Sequence, residues 1–176
     1  MKLRGEVEVD EVYVPLGCKG ERQARPRRRG GGRRRGRSTA RKKPFFTLFN
    51  RGSRRALFVT ADSASSEDVK KVLSKRVERG STVYTDEFRS YSCVVELGCE
   101  RLSVRHSDGV YALGPVHVNN AECRNWHLRA FLFFKRGISF AFASFYAAAA
   151  SAFLRIYSEV GLVACHWLME VMIHTI

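Results

Sequence analysis

Residues 6–14, EVEVDEVYV, alternate acidic and apolar side chains with a period of two, the signature of a β-strand that buries one face. A chain opening this way must build a sheet that accommodates four carboxylates: Glu6, Glu8, Asp10 and Glu11. Two readings are open. Either the acids form the solvated face of an edge strand, or Asp10, set among Val9 and Val12, is buried with a cation that compensates a charge otherwise costly to desolvate. Val7, Val9, Val12 and Val14 cannot share one face of a regular strand, which points to a register irregularity near Glu11.

The rest of the chain supplies partners for that strand. Residues 45–50 and 56–60 are short apolar runs separated by Arg51-Gly52-Ser53-Arg54, which reads as a hairpin. A helix opens at Ser66-Glu67-Asp68 and runs to about residue 79, with Val69, Val72, Leu73 and Val77 at helical spacing and Gly80 as its stop. A fourth strand over 82–85 ends at Asp86; a short helix over 88–97 and a fifth strand over 101–105 follow. Long helices are expected over 119–134 and 139–160, with Gly137 and Gly161 as punctuation, and a further helix over 162–176. The order β-β-β-α-β-α-β-α-α is an α/β layout: a mixed five-stranded sheet with flanking helices and a C-terminal helical extension, the arrangement of an RNase H-like domain. At 176 residues one domain is expected, over 1–160, with an insertion at 19–43 and a tail at 161–176.

Charge narrows the partners. The 31 Lys and Arg against 17 Asp and Glu leave a net +14, which favours nucleic acid over an anionic membrane surface. Thirteen of the basic residues lie in 19–43, beside one acid, Glu21, and the glycines Gly30, Gly31 and Gly32. Such a segment cannot bury enough apolar surface to fold alone. It is expected to be flexible and to contact phosphates through Arg27, Arg28, Arg29, Arg33, Arg34 and Arg35; the plainer alternative is a solvated insertion without a task. Five cysteines without a C-x-x-C pair disfavour a zinc ribbon or a disulfide framework and fit a reducing compartment. The charged N-terminus lacks the apolar run of a signal peptide, so a cytoplasmic, nucleoid-associated protein is expected. Residues 138–154 carry no formal charge and approach the lower limit for a membrane span, but their Ala, Ser, Phe and Tyr content suits a buried core helix better, and no membrane partner is expected.

Three carboxylates fall where phosphoryl transfer would use them: Asp10 inside the first strand, Asp86 at the end of the fourth and Glu122 in the first turns of a late helix. Neighbouring strands would set Asp10 beside Asp86, and a helix packed on that sheet would bring Glu122 over both. Hard oxygen ligands suit two Mg²⁺ or Mn²⁺ ions about 4 Å apart, which clamp the attacking and leaving oxygens of an in-line displacement at phosphorus.

EVDEVYV at 8–14, VYTDEFRSY at 83–91 and VRHSDGVYALGPVHVNNAECRNWHLR at 104–129 resemble the signature blocks of prokaryotic insertion-sequence transposases of the ISXO-two-like group, and are similar to those of the transposase of insertion sequence one. In that family the first aspartate lies in a D-E-x-Y/W strand, the second in a T-D-x-x-x-Y turn, and the third acid follows H-x-N-x-x-E, here His117 to Glu122. The 35 residues between Asp86 and Glu122 resemble the D-D-35-E spacing of many DDE transposases and integrases. The resemblance covers about residues 6–140 and implies Asp10, Asp86 and Glu122 as catalytic metal ligands, with Asn119 as the alternative third ligand. Glu122 is preferred because a carboxylate is the stronger ligand for a hard cation.

On the late helix, Asn125, Trp126 and Arg129 fall on the face of Glu122. Arg129, Lys135 and Arg136 are candidates for DNA phosphate contact, His117 for a phosphate or proton partner, and His106 less so; Trp126 is expected in the core. The chemistry implied by the resemblance is hydrolysis at an element's end, exposing a 3′ hydroxyl, then attack of that hydroxyl on target DNA. One site serves both steps without a covalent protein intermediate. Implied partners are DNA, as element ends and target, and further copies of the chain in a homo-oligomer on DNA. The chain departs from the family in starting almost at its first catalytic strand, with no end-recognition module before it, which leaves open a truncated copy or one part of a split gene. The rival reading is a nucleic-acid-binding protein without catalysis, or an inactive relic.

Overall fold

Strands β1 (Glu6–Pro15), β2 (Lys42–Asn50), β3 (Ala56–Thr60), β4 (Thr82–Thr85) and β5 (Glu100–Ser103) form one mixed sheet in the order β3-β2-β1-β4-β5. β1 is antiparallel to β2, and β2 to β3; β1 is parallel to β4, and β4 to β5. This is the strand order and sense of an RNase H-like sheet, as expected. The computed structural model describes residues 2–17, 42–104, 109, 112–135 and 137–174, with side chains to residue 159. The arginines expected to contact DNA in the insertion, together with His106 and Arg136, lie outside the described residues.

The place of β1 at the centre of the sheet corrects two expectations about its acids and valines. Its pairing with β2 runs unbroken from Val7 opposite Asn50 to Pro15 opposite Lys42, so there is no irregularity near Glu11. Val7 and Val9 pack on one side of the sheet and Val12 and Val14 on the other, because helices cover both faces of the sheet at this strand. The edge-strand reading fails for the same reason: Glu8 is 0% exposed. β2 starts at Lys42, not at 45, since the strand opposite continues to Pro15 and gives Lys42 and Lys43 backbone partners.

α1 (Ser66–Arg76) is opened by Ser65, whose side chain accepts the Asp68 N–H. It stops short of the expected residue 79 because Val77 turns extended and bridges Leu3. Gly80 then adopts φ +79°, which suits glycine, and donates its N–H to the Gly98 carbonyl. The expected helix over 88–97 is a 3₁₀ turn at Arg89–Ser92 followed by α2 (Cys93–Glu96). α1 and α2 cover one face, with Val69, Val72, Leu73, Tyr91 and Val94 packed against Val7, Val9, Phe46, Leu48 and Val83.

α3 (Asn119–Phe134) and α4 (Ala143–His174) cover the other face. α4 is one helix, where two elements broken at Gly161 were expected. A glycine inside a helix costs only about 1 kcal/mol, and helix-forming Leu162, Ala164, Leu168, Met169 and Glu170 follow it. Residues Phe140–Glu159 are long and apolar enough to cross a membrane by length and composition. Only 22% of that stretch is buried, so it is not the buried core helix expected: Ala143, Ala147 and Ala150 pack in one cluster with Val12, Phe45 and Phe58, and Ser151 accepts the N–H of Phe58 on the edge strand, while Phe140, Phe142 and Phe145 are exposed.

Candidate active site

The β1–β4 register brings the first two expected ligands to one place. Glu6 lies opposite Thr82 and Glu8 opposite Tyr84; Asp10 follows two residues after that last pair on β1, and Asp86 two residues after it, just past the end of β4. Side chains two apart on a strand share a face, and Glu8 and Asp10 are directed to the side covered by α3, where both hydrogen-bond to it. On the other flank Thr47 is the partner of Asp10 across the β1–β2 pair.

α3 presents Ala121, Asn125, Leu128 and Leu132 to the sheet. Asn125 is buried and donates from Nδ2 to Asp10 Oδ2 at 2.6 Å, while its Oδ1 accepts from Thr47 Oγ1. Glu122 stands beside this inward stripe and is exposed.

Electrostatics tie the acids together. Burial pushes the Asp10 carboxyl from its ordinary 3.8 up to about 7, and the charges of Glu11, Asp86 and Glu122 add to the rise, against a backbone hydrogen bond at Glu11 that lowers it. Tyr91, fully buried, donates to Glu11 Oε2 at 2.6 Å, and its phenol is held well above 10 by desolvation and then by Glu11. The turn carrying Asp86 is fixed from β5: Arg101 donates to Thr85 Oγ1 (3.0 Å) and to the carbonyls of Asp86 (2.9 Å) and Phe88 (3.2 Å), while Asp86 Oδ1 accepts the Phe88 N–H at 3.0 Å.

The donor chemistry fits a divalent cation. Asp10, Asp86 and Glu122 carry hard oxygens, and a largely buried carboxyl is the kind of group a cation would compensate. As they stand, no three His, Cys, Asp or Glu side chains among the described residues are grouped closely enough to hold a metal ion. Asn119, the alternative ligand, is the exposed first residue of α3.

Other candidates divide. Arg129 is exposed, two turns beyond Glu122, and Lys135 ends α3 with Nζ 5.3 Å from the Phe131 ring centroid. His117 is half-buried, its Nδ1 3.5 Å from Glu8 Oε1. Trp126 is 67% exposed and so is not in the core: it follows Asn125, and one residue is 100° of helix rotation, enough to leave the inward stripe.

Sequence reasoning passed over Asn125 as a partner of Asp10, and gave Glu8 and Arg51 no role at the site. Asn125 carried a usable signal, an amide within an otherwise apolar stripe. Glu8 accepts the backbone N–H groups of Asn120 (2.9 Å) and Ala121 (3.0 Å), Asn120 Nδ2 (2.8 Å) and Arg51 Nε (2.7 Å). Nothing local to residue 8 announces those contacts.

Residues 2–154 match the family model of the ISXO2-like transposase domain. An uncharacterized protein in transposable element ISH50 of Halobacterium salinarum is 39% identical over 140 residues, which cover 78% of this chain and 48% of that relative. The chain thus spans about half the length of the relative it matches. Solved structures with similarity include a chain of the simian T-cell lymphotropic virus intasome (TM-score 0.46, 9% identity, 76% of this chain and 41% of that one). The HTLV-2 integrase catalytic core domain in complex with magnesium is another (TM-score 0.44, 7% identity, 77% and 73%).

Proposed function

The chain belongs to the family of ISXO2-like transposase domains, and on that premise we propose that it cleaves and joins DNA by in-line displacement at phosphorus, at a site composed of Asp10, Asp86 and Glu122. These three carboxylates would hold Mg²⁺ or Mn²⁺. When bound, the ions activate water or a 3′ hydroxyl and neutralise charge on the phosphate under attack. Asn125 fixes the orientation of Asp10 through Oδ2, and Arg101 fixes the turn that carries Asp86. Glu122 and Arg129 are both exposed, two turns apart on α3, so that in this reading DNA would approach Glu122 and Arg129 would take a phosphate. His117, Lys135, Arg136 and the arginines of the insertion belong to the same DNA-binding reading, with a net +14 to supply sequence-independent affinity. Element ends and target are the DNA partners, and a homo-oligomer assembled on them is part of the proposal.

One observation supports this reading: Asn125 of α3, the helix that carries Glu122, donates to Asp10 Oδ2 at 2.6 Å, while the strand of Asp10 runs parallel to β4, which ends one residue before Asp86. The test is strand transfer by the full chain on a pre-cleaved element-end oligonucleotide with Mg²⁺ or Mn²⁺, resolved by gel. Joined product is expected with the native chain and none with Asp86→Asn; full activity of Asp86→Asn refutes the assignment.

A second reading, nucleic-acid binding without catalysis, is favoured by the lack of a tight three-ligand group among the described residues. It predicts DNA affinity that falls with salt, is indifferent to Mg²⁺ and is unchanged in Asp86→Asn.

A further inference from the structure

Glu8 is a charged group in the middle of the sheet, and catalysis by the three acids does not by itself account for it. It is 0% exposed, its partner Arg51 is largely covered, and the two meet at 2.7 Å. A buried ion pair is weak evidence for stability, because desolvating both ions offsets much of their attraction and an apolar pair of similar volume would often hold the fold equally well. What the pair touches suggests a different role.

Glu8 lies two residues before Asp10 on the same face of β1. It accepts the N–H groups of Asn120 and Ala121, two of the donors that the first turn of a helix leaves unsatisfied, while Val118 at the cap position makes no side-chain cap bond. The start of α3 is therefore capped by a carboxylate 112 residues away in sequence, and Glu122 is the next residue along. Arg51 binds the approach to α3, donating to the carbonyls of Pro115 (2.8 Å) and His117 (2.9 Å). Its guanidinium also lies 3.7 Å from the ring centroid of Tyr84, two residues before Asp86. The elements bearing Asp10, Asp86 and Glu122 meet at this one pair.

We propose that Glu8 and Arg51 are positioning residues that set α3 against β1 and β4, and so fix Glu122 relative to Asp10 and Asp86. The proposal rests on the reading of those three acids as a metal-binding set. Its energetic logic is that of residues behind a ligand: they hold no ion themselves, but directed hydrogen bonds restrict where the ligand can be, and losing them commonly weakens metal affinity about 10- to 100-fold.

The test measures Mn²⁺ binding to the full chain by titration calorimetry, with circular dichroism melting to establish how much of each variant is folded. Glu8→Gln keeps the shape but turns an amide donor towards groups that donate; Arg51→Lys keeps the charge but loses the fork that grips two carbonyls. Both are expected to bind Mn²⁺ about tenfold or more weakly in their folded fraction, and to regain strand-transfer turnover at raised Mn²⁺. Asn120→Ala removes only the Asn120 Nδ2 bond at a half-buried position that tolerates alanine, and is expected to weaken binding about threefold; it decides the matter if the first two variants do not fold. Unchanged Mn²⁺ affinity in whichever of these variants fold, with only their melting temperature lowered, overturns the positioning role. Asp10→Asn serves as the control: if it binds Mn²⁺ as the native chain does, the metal-site reading has failed; if it does not bind while the Glu8 and Arg51 variants bind normally, the positioning inference alone has failed.

Discussion

At its first turns α3 is held by hydrogen bonds to Glu8 and Asp10 through Asn120, Ala121 and Asn125, whereas at its last turns Leu128, Phe131 and Leu132 are packed in an apolar cluster with α4. The first end meets buried acids in a strand centre; the second borders a groove of about 1390 Å³ and leaves Phe133 and Phe134 79% and 68% exposed. The difference is one of directionality. Apolar burial rewards closeness without specifying an angle, and it tolerates small shifts. Hydrogen bonds to a fixed carboxylate lose strength when the donor moves or tilts. The helix therefore has a stabilising end and an aligning end, and Glu122 sits at the aligning end.

The largest effect expected from breaking this contrast is at the acids. Asp10→Asn or Asp86→Asn should lower strand transfer by at least about a thousandfold, the scale on which lost transition-state charge stabilisation is felt, while the melting curve stays cooperative. A gel assay beside a thermal melt checks both, and a residual rate within about tenfold of native contradicts the contrast at its polar end.

Next in size is the pH response of the metal-free chain. An acid whose folded-state pKa is raised binds its proton more tightly when folded, so the favourable contribution of Asp10 is complete below the unfolded value near 3.8 and is lost as pH rises through about 7. The full swing is about 4 kcal/mol at the usual free energy per pKa unit. Melts in chelator from pH 4 to 8 should show stability declining across that window. Asp10→Asn should flatten the decline, and added Mn²⁺ should reverse it at pH 8; parallel curves for native and variant would remove the electrostatic basis of the site.

At the apolar end, Leu128→Ala should cost about 3 kcal/mol of stability, because Leu128 is fully buried and its removal leaves a cavity. Mn²⁺ affinity of the folded protein should not change, and a tenfold loss would show that the two ends are not separable. The smallest effect is expected from Phe133→Ala, within about 0.5 kcal/mol in denaturant melts, since the ring is already in solvent.

The strands were largely legible because periodicity and turn residues are local: β3 and β4 fall over 56–60 and 82–85 as the pattern requires, and α3 over 119–134. The three acids were singled out through motif and spacing, and they lie on β1, just past β4 and in the first turns of α3. What the pattern hid depends on tertiary arrangement. EVEVDEVYV looks the same whether its acids face water or a helix N-terminus, and only the central place of β1 makes Glu8 a buried cap. Trp126 and Asn125 are one residue apart on a helix of small amphipathicity, and neither reveals which one turns inward. Gly161 reads as a break, yet a helix long enough to absorb one glycine runs through it.

The measurement that reaches the central claim most directly is anomalous diffraction from crystals of the chain soaked in Mn²⁺. The account predicts manganese peaks among the carboxylates of Asp10, Asp86 and Glu122, and their loss in Asp86→Asn crystals. Peaks elsewhere on the molecule, with those three side chains bare at saturating Mn²⁺, would contradict it.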